Sequence, residues 1–279
     1  MLQAQNTRGR QSAQVCSAQR RGDAKTRVSA IGGARTAVRT ISGVALVQAR
    51  ELAMMVAVAA MLLLHLIGGS DPGRALLPPA QTDAAPKARP VLLLHGFGGG
   101  KSSWSVIAEN LSARGLTVDA ITYPPFGASV EQLADRLVLE VKRKLSQTGA
   151  EKVHLVGHSL GGVVIAQAIA GGRLAGLIDT VVTLGLPFGG SPWAKLLPFG
   201  AIVPALRENS PLLRRLASAP IPDGVRWLAF AATLDVVVPG LRSIPAHAEV
   251  EAITIRGVGH LGMLLSRQVV GRIVDALPA

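Results

Sequence analysis

Gly157-His158-Ser159-Leu160-Gly161 directly follows the apolar run Lys152–Val156 and directly precedes a helix-like stretch, Gly162–Ala170. This order predicts a strand, a sharp turn and a helix, with Ser159 at the tip of the turn. Gly-x-Ser-x-Gly requires small residues around the serine, because a larger side chain would collide with the neighbouring strand or helix. The pattern is therefore typical of an exposed, nucleophilic serine.

Short apolar runs alternate with longer amphipathic stretches from Arg89 onward. The predicted strands are Pro90–Leu94, Leu116–Ile121, Lys152–Val156, Thr180–Leu184, Val225–Ala231 and Glu251–Ile255. The predicted helices are Trp104–Arg114, Val130–Gln147, Leu160–Gly171, Pro204–Ala217 and Leu261–Leu277. Continuous runs of Val, Leu and Ile favour strands that are buried on both faces. The sequence thus predicts an α/β fold with a mostly parallel sheet of about six strands, flanked by helices.

Three side chains of complementary chemistry follow three of these strands. Ser159 comes after the third strand, Asp235 after the fifth and His260 after the sixth. Because the carboxyl ends of parallel strands meet at one edge of a sheet, we expect the three to converge there. The histidine would act as general base for the serine, and the aspartate would orient the imidazole. Asp223 and Glu208 are the alternative carboxylates, although the first precedes its strand and the second lies in an insertion.

A glycine-rich turn follows the first predicted strand, His95-Gly96-Phe97-Gly98-Gly99-Gly100. Such a turn allows a backbone N–H to point at a developing negative charge, so Phe97 is one predicted oxyanion donor. The second predicted donor is Leu160, directly after the nucleophile. The turn lacks the Gly-Lys-Ser/Thr ending of a phosphate loop, and no histidine pair has metal-ligand spacing. We therefore predict neither a metal nor a cofactor.

Four sequence blocks resemble those of small bacterial triacylglycerol lipases and carboxylesterases of the α/β-hydrolase superfamily. The blocks begin at Val91, Gly157, Thr183 and Gly257, and read VLLLHGFGG, GHSLGG, TLGLP and GVGHLG. They occur in the family's order across Pro90–Pro278. The resemblance implies a triad and two oxyanion donors, namely Ser159, Asp235, His260, Phe97 and Leu160. It also implies a substrate class, water-insoluble or lipid-like esters.

The stretch between Leu184 and Val225 is longer than a minimal hydrolase requires, and it contains seven prolines. We predict that residues 186–222 form a small cap over Ser159, because loops at the carboxyl end of a sheet usually bear on the site. The alternative is an excursion that merely packs on the sheet. The aromatic residues predicted to contact substrate are Tyr123, Phe126, Phe188 and Trp193.

The positive charge of the chain is concentrated at one end. The formal net charge is +12, of which residues 1–50 carry +8. The remainder carries only +4, and it has no zinc, helix-turn-helix or base-stacking signature. We therefore predict that the protein does not bind nucleic acid through its folded part.

The N-terminal region is divided by composition. Residues 1–50 have no sustained hydrophobic period, which favours disorder. The segment 51–69 contains the apolar run Leu52–Ile67, which as a helix would rise about 24 Å, short of the roughly 30 Å hydrocarbon core of a bilayer. Three readings remain open: an export signal, an uncleaved membrane anchor or a core helix. Residues 70–88 are predicted to be a linker before the catalytic domain, 89–279.

These patterns together predict a secreted or membrane-anchored serine hydrolase that works through an acyl-enzyme, and the resemblance implies that its substrates are acyl or lipid esters. Two alternatives are an acyltransferase with the same triad and a non-catalytic, membrane-tethered binding protein on a hydrolase fold. The intact set of Ser159, Asp235 and His260 favours an enzyme.

Overall fold

The computed structural model describes residues 43–57, 59–60, 89–124, 126–195 and 200–278. Contacts divide the chain into two compact units, Met1–Leu46 and Val47–Ala279, and the larger unit holds the sheet. The predictions for residues 1–42, for the linker and for most of the apolar run lie outside the described residues. Among those described, no helix is both long and apolar enough to cross a bilayer.

Residues 43–57 form helix α1. Its first eight residues belong to the segment 1–50, for which disorder stays a prediction. The inward face of the helix is only partly apolar: among the residues it buries or half-buries are Gln48 and Glu51.

Six described strands form one parallel sheet in the order β2-β1-β3-β4-β5-β6, which confirms the predicted fold class. The strands are β1 Val91–Leu94, β2 Val118–Ile121, β3 Val153–His158, β4 Ile178–Leu184, β5 Arg226–Ala232 and β6 Val250–Ile255. In register, Leu94 pairs with Gly157, and Leu184 pairs with both His158 and Phe230. The ends of β1, β3, β4 and β5 therefore lie side by side at one edge.

Helices cover both faces of the sheet. They are α2 Ser105–Ala113, α3 Val130–Thr148, α4 Leu160–Ala170, α5 Ile202–Ala205, α6 Pro211–Ser218 and α7 Arg267–Ala276. Alternate residues of β1 enter opposite core clusters: Leu92 and Leu94 pack with α3, α4 and α6, whereas Val91 and Leu93 pack with α2 and α7. The inner strands β1, β3, β4 and β5 are thus buried on both sides, as their apolar runs predict, whereas four of the six residues of the edge strand β6 are exposed or half-buried.

Two predicted helices begin or continue differently in the structure. The predicted helix Pro204–Ala217 is two helices, because Asn209 takes a left-handed conformation (φ 58°) and Ser210 caps a new helix by accepting a bond from the Leu213 N–H. The predicted helix Leu261–Leu277 begins only at Arg267 and is preceded by a short 3₁₀ turn. In both cases apolar residues continue at helical spacing across the point where the helix is interrupted.

The described part of the 186–222 insertion packs on the α3 and α4 side of the sheet. Its buried side chains belong to the same core cluster, and they are Ile202, Val203, Leu206, Leu212, Leu213 and Leu216. Arg215 of α6 also donates a hydrogen bond to Gln167 of α4, at 3.1 Å. The described helices of the insertion therefore pack on the sheet, which is the alternative that we gave to a cap. A cap over Ser159 stays a prediction.

Candidate active site

The predicted nucleophile lies at a strained turn between β3 and α4. Ser159 has φ 51° and ψ −116°, a backbone conformation that side-chain-bearing residues rarely adopt. Its N–H donates to the carbonyl of Leu184 at 2.8 Å, and its own carbonyl accepts from Gly162 and Val163 at the start of α4. The turn is therefore held by the neighbouring strand on one side and by the helix on the other.

The glycines that flank Ser159 are required by close contacts. A Cβ atom on Gly157 would lie 2.7 Å from both the Gly162 nitrogen and the Ile165 Cδ1. A Cβ atom on Gly161 would overlap the carbonyl oxygen of Leu94 at the end of β1. The collisions with helix and strand that the pentapeptide predicts are thus confirmed.

Asp235 and His260 form a buried hydrogen-bonded pair. The imidazole Nδ1 donates to the Asp235 Oδ2 at 2.8 Å, and both residues are under 5% exposed. The other carboxylate oxygen accepts from the N–H groups of Val237 and Val238 at 2.9 and 2.7 Å. Because the carboxylate holds the proton on Nδ1, Nε2 is left as the proton acceptor of this histidine.

The alternative carboxylates lie elsewhere. Glu208 pairs with Lys195 at 3.8 Å and with Arg242 at 3.5 Å. Asp223 is exposed on the turn that precedes β5. The structure therefore pairs His260 with Asp235, the carboxylate that position in the sequence favours.

The loops that carry Ser159 and His260 both lie at the end of β4. Leu184 accepts the N–H of Ser159, and a Cβ atom on the next residue, Gly185, would lie 2.8 Å from the His260 Cε1. His158, next to the serine, places its ring 4.7 Å from the ring of His260 and donates from Nε2 to the His260 carbonyl at 3.1 Å. The structure thus brings the elbow and the aspartate–histidine pair to the same edge of the sheet.

His158 has a supporting role in this arrangement. Burial, and secondly the proximity of His260, hold the pKa of His158 well below its ordinary value. The ring is therefore neutral near neutral pH, with its proton on Nε2. A neutral His158 ring does not oppose a positive charge on the His260 ring, whereas a charged one would.

The glycine-rich turn after β1 lies against the elbow. A Cβ atom on Gly96 would lie 3.2 Å from the Ser159 Cβ and 2.9 Å from the His158 Nδ1, and the Gly99 N–H closes the turn on the Gly96 carbonyl at 3.0 Å. Phe97 is therefore on a turn that touches the serine. Leu160 is the first residue of α4, where backbone N–H groups have no intrahelical partner.

Tyr123 supports this turn from behind. Its hydroxyl donates to the His95 carbonyl, its ring stacks on the His95 ring at 4.1 Å, and its own N–H donates to the His95 Nε2 at 3.3 Å. Burial raises the pKa of the Tyr123 hydroxyl above its ordinary value, so the group stays a hydrogen-bond donor. The structure places Tyr123 in the core, where it braces the turn.

The other predicted substrate contacts divide between two places. Phe126 makes an edge-to-face contact with Phe97 (centroids 5.8 Å apart), beside the turn. Phe188 packs 6.2 Å from Trp227 and lines a small apolar cavity on the α4 side, and neither Ser159, Asp235 nor His260 lines that cavity. Of the two, Phe126 is the one beside the site.

Trp193 is 40% exposed, yet its indole N–H donates to the carbonyl of Val236 at 2.8 Å. Ser191 donates its hydroxyl to the carbonyl of Val237 at 2.6 Å. The start of the insertion therefore holds the loop that carries Asp235. Sequence reasoning missed Ser191, because a contact across 46 positions leaves no local pattern.

A second missed residue lies in the segment that we predicted to be a signal or an anchor. Glu51 of α1 is 2% exposed, and its carboxylate accepts from the N–H groups of Leu261 and Gly262 at 2.9 and 2.7 Å. An acidic residue at the edge of an apolar run had no visible partner in the sequence.

Comparisons with known proteins show which family and which fold this chain shares. The chain is 32% identical over 113 residues to a triacylglycerol lipase of Pseudarthrobacter phenanthrenivorans, a match that covers 38% of this chain and 35% of that protein. It is 40% identical over 84 residues to the dihydrolipoyllysine-residue acetyltransferase component of the acetoin cleaving system of Cupriavidus necator, with 29% and 22% covered. The chain thus spans about a third or less of these relatives.

Among solved structures, the mature lipase BlEst2 of Bacillus licheniformis superposes with a TM-score of 0.61 at 17% identity, covering 75% of this chain and 96% of that one. This likeness supports the fold. The sequence profile described as the alpha/beta hydrolase family matches residues 91–272, which contain the elbow, the glycine-rich turn and the aspartate–histidine pair. With that profile matching well over half of its length, the chain belongs to the alpha/beta hydrolase family.

Proposed function

We propose that the protein is a serine hydrolase that cleaves carboxylic esters of acyl or lipid type through an acyl-enzyme. The observation that carries this proposal is the buried Asp235–His260 hydrogen bond, which lies at the same sheet edge as the strained Ser159. Together they supply a nucleophile, a base and a group that fixes the tautomer of the base.

In the first half-reaction, the Ser159 Oγ attacks the ester carbonyl carbon while His260 Nε2 takes the hydroxyl proton. Asp235 stabilises the imidazolium that forms. The tetrahedral intermediate then collapses: the bond between the carbonyl carbon and the alkoxy oxygen breaks, and Nε2 returns the proton to the leaving alcohol. The second half-reaction repeats these steps with water as the nucleophile, which releases the acid and restores the serine.

The negative charge of the intermediate needs donors that are already in place. The N–H groups of Phe97 and Leu160 supply these donors in the proposal, since the turn after β1 touches Ser159 and α4 begins at Leu160. The loss of one such donor typically costs about 3 kcal/mol of transition-state stabilisation.

An acyl substrate is supported by two observations. A relative over part of the chain is named a triacylglycerol lipase, and the aromatic pair Phe97–Phe126 offers an apolar wall beside the oxyanion turn. Profiling with p-nitrophenyl esters of increasing chain length tests the substrate class. A preference that disappears in Phe126→Ala would assign this wall to the acyl chain.

Labelling by a fluorophosphonate probe tests the nucleophile. We expect the full chain to be labelled and Ser159→Ala not to be. Ser112→Ala, an exposed serine on α2, is the matched control and should be labelled like the unmodified protein. Folded protein that resists the probe would contradict the proposed function.

Acyl transfer to another acceptor is a second candidate, favoured by the partial relative named an acetyltransferase component. The same triad serves both reactions, and exclusion of water decides between them. Product analysis with an added alcohol acceptor separates the two: a transferase forms the new ester at the expense of free acid even when water is in vast excess.

We further propose that the segment 52–67 takes the catalytic domain out of the cytoplasm or holds it at a membrane. Its apolar composition supports this, and Leu52 and Val56 are exposed on the described part of α1. Cell fractionation combined with N-terminal sequencing of the mature protein tests the location. Full-length protein confined to the soluble cytoplasmic fraction would contradict it.

A further inference from the structure

The loop that carries the catalytic histidine is held by a carboxylate from far along the chain. Glu51 accepts two hydrogen bonds from consecutive N–H groups, those of Leu261 and Gly262, directly after His260. Both bonds are charge-assisted, and the side chain that makes them is almost completely buried. The Glu51 carboxylate therefore sets the backbone position just after the imidazole.

The sequence around His260 leaves space for this carboxylate. A Cβ atom on Gly259 would overlap Cγ and Cδ of Glu51, and one on Gly262 would lie 2.8 Å from its Oε1. The three atoms nearest to such a Cβ on Gly259 all belong to Glu51. The glycines on either side of the catalytic histidine thus form the seat of the Glu51 side chain.

A second contact joins α1 to the loop of the catalytic acid. The Gln48 side chain donates from Nε2 to the carbonyl of Leu234 at 3.3 Å, one residue before Asp235. Gln48 and Glu51 lie one helical turn apart on the same face of α1, together with the half-buried Val47, Met54 and Met55. This face of α1 therefore contacts both the histidine loop and the aspartate loop.

We propose that Glu51 is a positioning residue of the active site and that α1 is retained in the active protein. The inference rests on the proposed ester hydrolysis. Glu51 fixes the backbone after His260, and Gln48 contacts the backbone before Asp235, so α1 keeps the imidazole in line with its acid and with Ser159. Small displacements of a catalytic group reduce the rate of the chemical step more than they reduce substrate binding.

The proposal selects among the readings of the N-terminal segment. Cleavage after the apolar run, which ends at Ile67, would remove Glu51 together with α1. A retained helix is consistent with an uncleaved anchor or with a helix of the folded domain, and it is inconsistent with a removed signal peptide.

Substitution of Glu51 in the full chain is the first test. Glu51→Gln can accept only one of the two N–H groups and presents its amide to the other, so we expect kcat to fall about 10- to 100-fold with KM nearly unchanged. Glu109→Gln, an exposed glutamate on α2, is the matched control. Circular dichroism establishes that each variant is folded under assay conditions. An unchanged kcat, or an increase that marks α1 as an inhibitory cover, would overturn the proposal.

A clash-and-rescue experiment separates positioning from general stability. Gly259→Ala should reduce kcat in the unmodified background, because the new Cβ overlaps Glu51. In the Glu51→Ala background the overlap is gone, so Gly259→Ala should cause little further loss. An equal loss in both backgrounds would show that Gly259 does not act through Glu51.

Hydrogen exchange distinguishes failure of this inference from failure of the proposed function. The amides of Leu261 and Gly262 should be protected in the full chain and should exchange at least tenfold faster in Glu51→Ala, whether or not the protein hydrolyses esters. Protection without hydrolysis would refute the function and leave the contact established. Hydrolysis with unprotected amides at these two positions would refute the role of Glu51.

Discussion

Ser159 bears backbone strain that the surrounding structure must offset. A residue with a side chain at φ 51° and ψ −116° costs on the order of 1–3 kcal/mol, and the cost persists only where neighbours fix the conformation. The Leu184 carbonyl and the first turn of α4 fix it here. The strained turn lies at the end of β3, at the sheet edge where the His260 loop also lies.

Asp235→Asn is expected to reduce kcat by about 10³- to 10⁴-fold while the fold is retained. An asparagine can present an N–H to Nδ1, which would favour the tautomer with the proton on Nε2 and so remove the acceptor that Ser159 needs. Steady-state kinetics on a p-nitrophenyl ester measures the effect. Asp223→Asn is the matched control, because that carboxylate is exposed before β5 and should be dispensable. Equal losses in the two variants would contradict the assignment.

Two buried histidines predict how stability depends on pH. Burial is the first cause that lowers the pKa of both His154 and His158. Below about pH 6.5 the unfolded chain binds protons that the folded protein does not bind, so the free energy of unfolding falls as the pH falls. Each histidine can contribute at most about 1.4 kcal/mol per pH unit in that range.

Urea unfolding between pH 5 and pH 7.5 measures this slope. We expect the midpoint to decline below pH 6.5 and to decline less steeply in His158→Asn, which removes one of the two groups. A slope that His158→Asn leaves unchanged would show that His158 titrates alike in the folded and unfolded states.

At the scale of elements, the packing of α4 against the end of β1 depends on a missing side chain. Gly161→Ala should destabilise the protein by about 3 kcal/mol or more, because its Cβ overlaps the Leu94 carbonyl and backbone atoms cannot move aside cheaply. Gly271→Ala is the matched control. It lies inside α7 with nothing within 4 Å of the added Cβ, so it should stabilise by about 0.5–1 kcal/mol.

Thermal or urea unfolding of the two variants measures both the expected loss of stability in Gly161→Ala and the expected gain in Gly271→Ala. Because the pair makes the same chemical change in two helices, a shared direction would contradict the contact argument. Gly161→Ala should also lose fluorophosphonate labelling, since the shift of α4 moves Ser159 with it.

Elements with a strong local pattern could be predicted from the sequence. Short runs rich in apolar residues predict all six strands, and the pentapeptide at Ser159 predicts the turn between β3 and α4. The break before α6 was missed because leucines continue at helical spacing across Asn209 and Ser210, although Ser210-Pro211 carries the signal of a new helix, an N-cap residue followed by proline at the first helical position. Local periodicity does not report a left-handed residue between two short helices.

Some residues of the candidate site could be predicted from the sequence and others could not. Asp235 and His260 could be identified because each follows a strand whose end lies at the functional edge. Glu51, Ser191 and the bracing role of Tyr123 could not, since each acts through the backbone of a distant segment. Backbone N–H and C=O groups are the same at every position, so the sequence gives no sign of which one a side chain will bind.

At the scale of the whole molecule, the basic charge and the candidate site occupy different parts of the chain. Residues 1–42 carry a net charge of +7, and Ser159, Asp235 and His260 all lie beyond residue 158. A polyanionic surface would therefore be contacted by the N-terminal segment. Each basic residue close to an anionic membrane contributes about 1 kcal/mol, and salt screens this attraction with a Debye length of about 8 Å at 0.15 M.

We expect a variant that begins at residue 43 to bind phosphatidylserine-containing vesicles at least tenfold more weakly than the full chain in low salt, with the difference vanishing at 1 M salt. Vesicle sedimentation measures binding, and pure phosphatidylcholine vesicles are the control. Because the variant keeps Gln48 and Glu51, its kcat on a soluble ester should equal that of the full chain. A loss of kcat would place part of the catalytic apparatus in residues 1–42, and undiminished vesicle binding would move the membrane contact into the remainder of the chain.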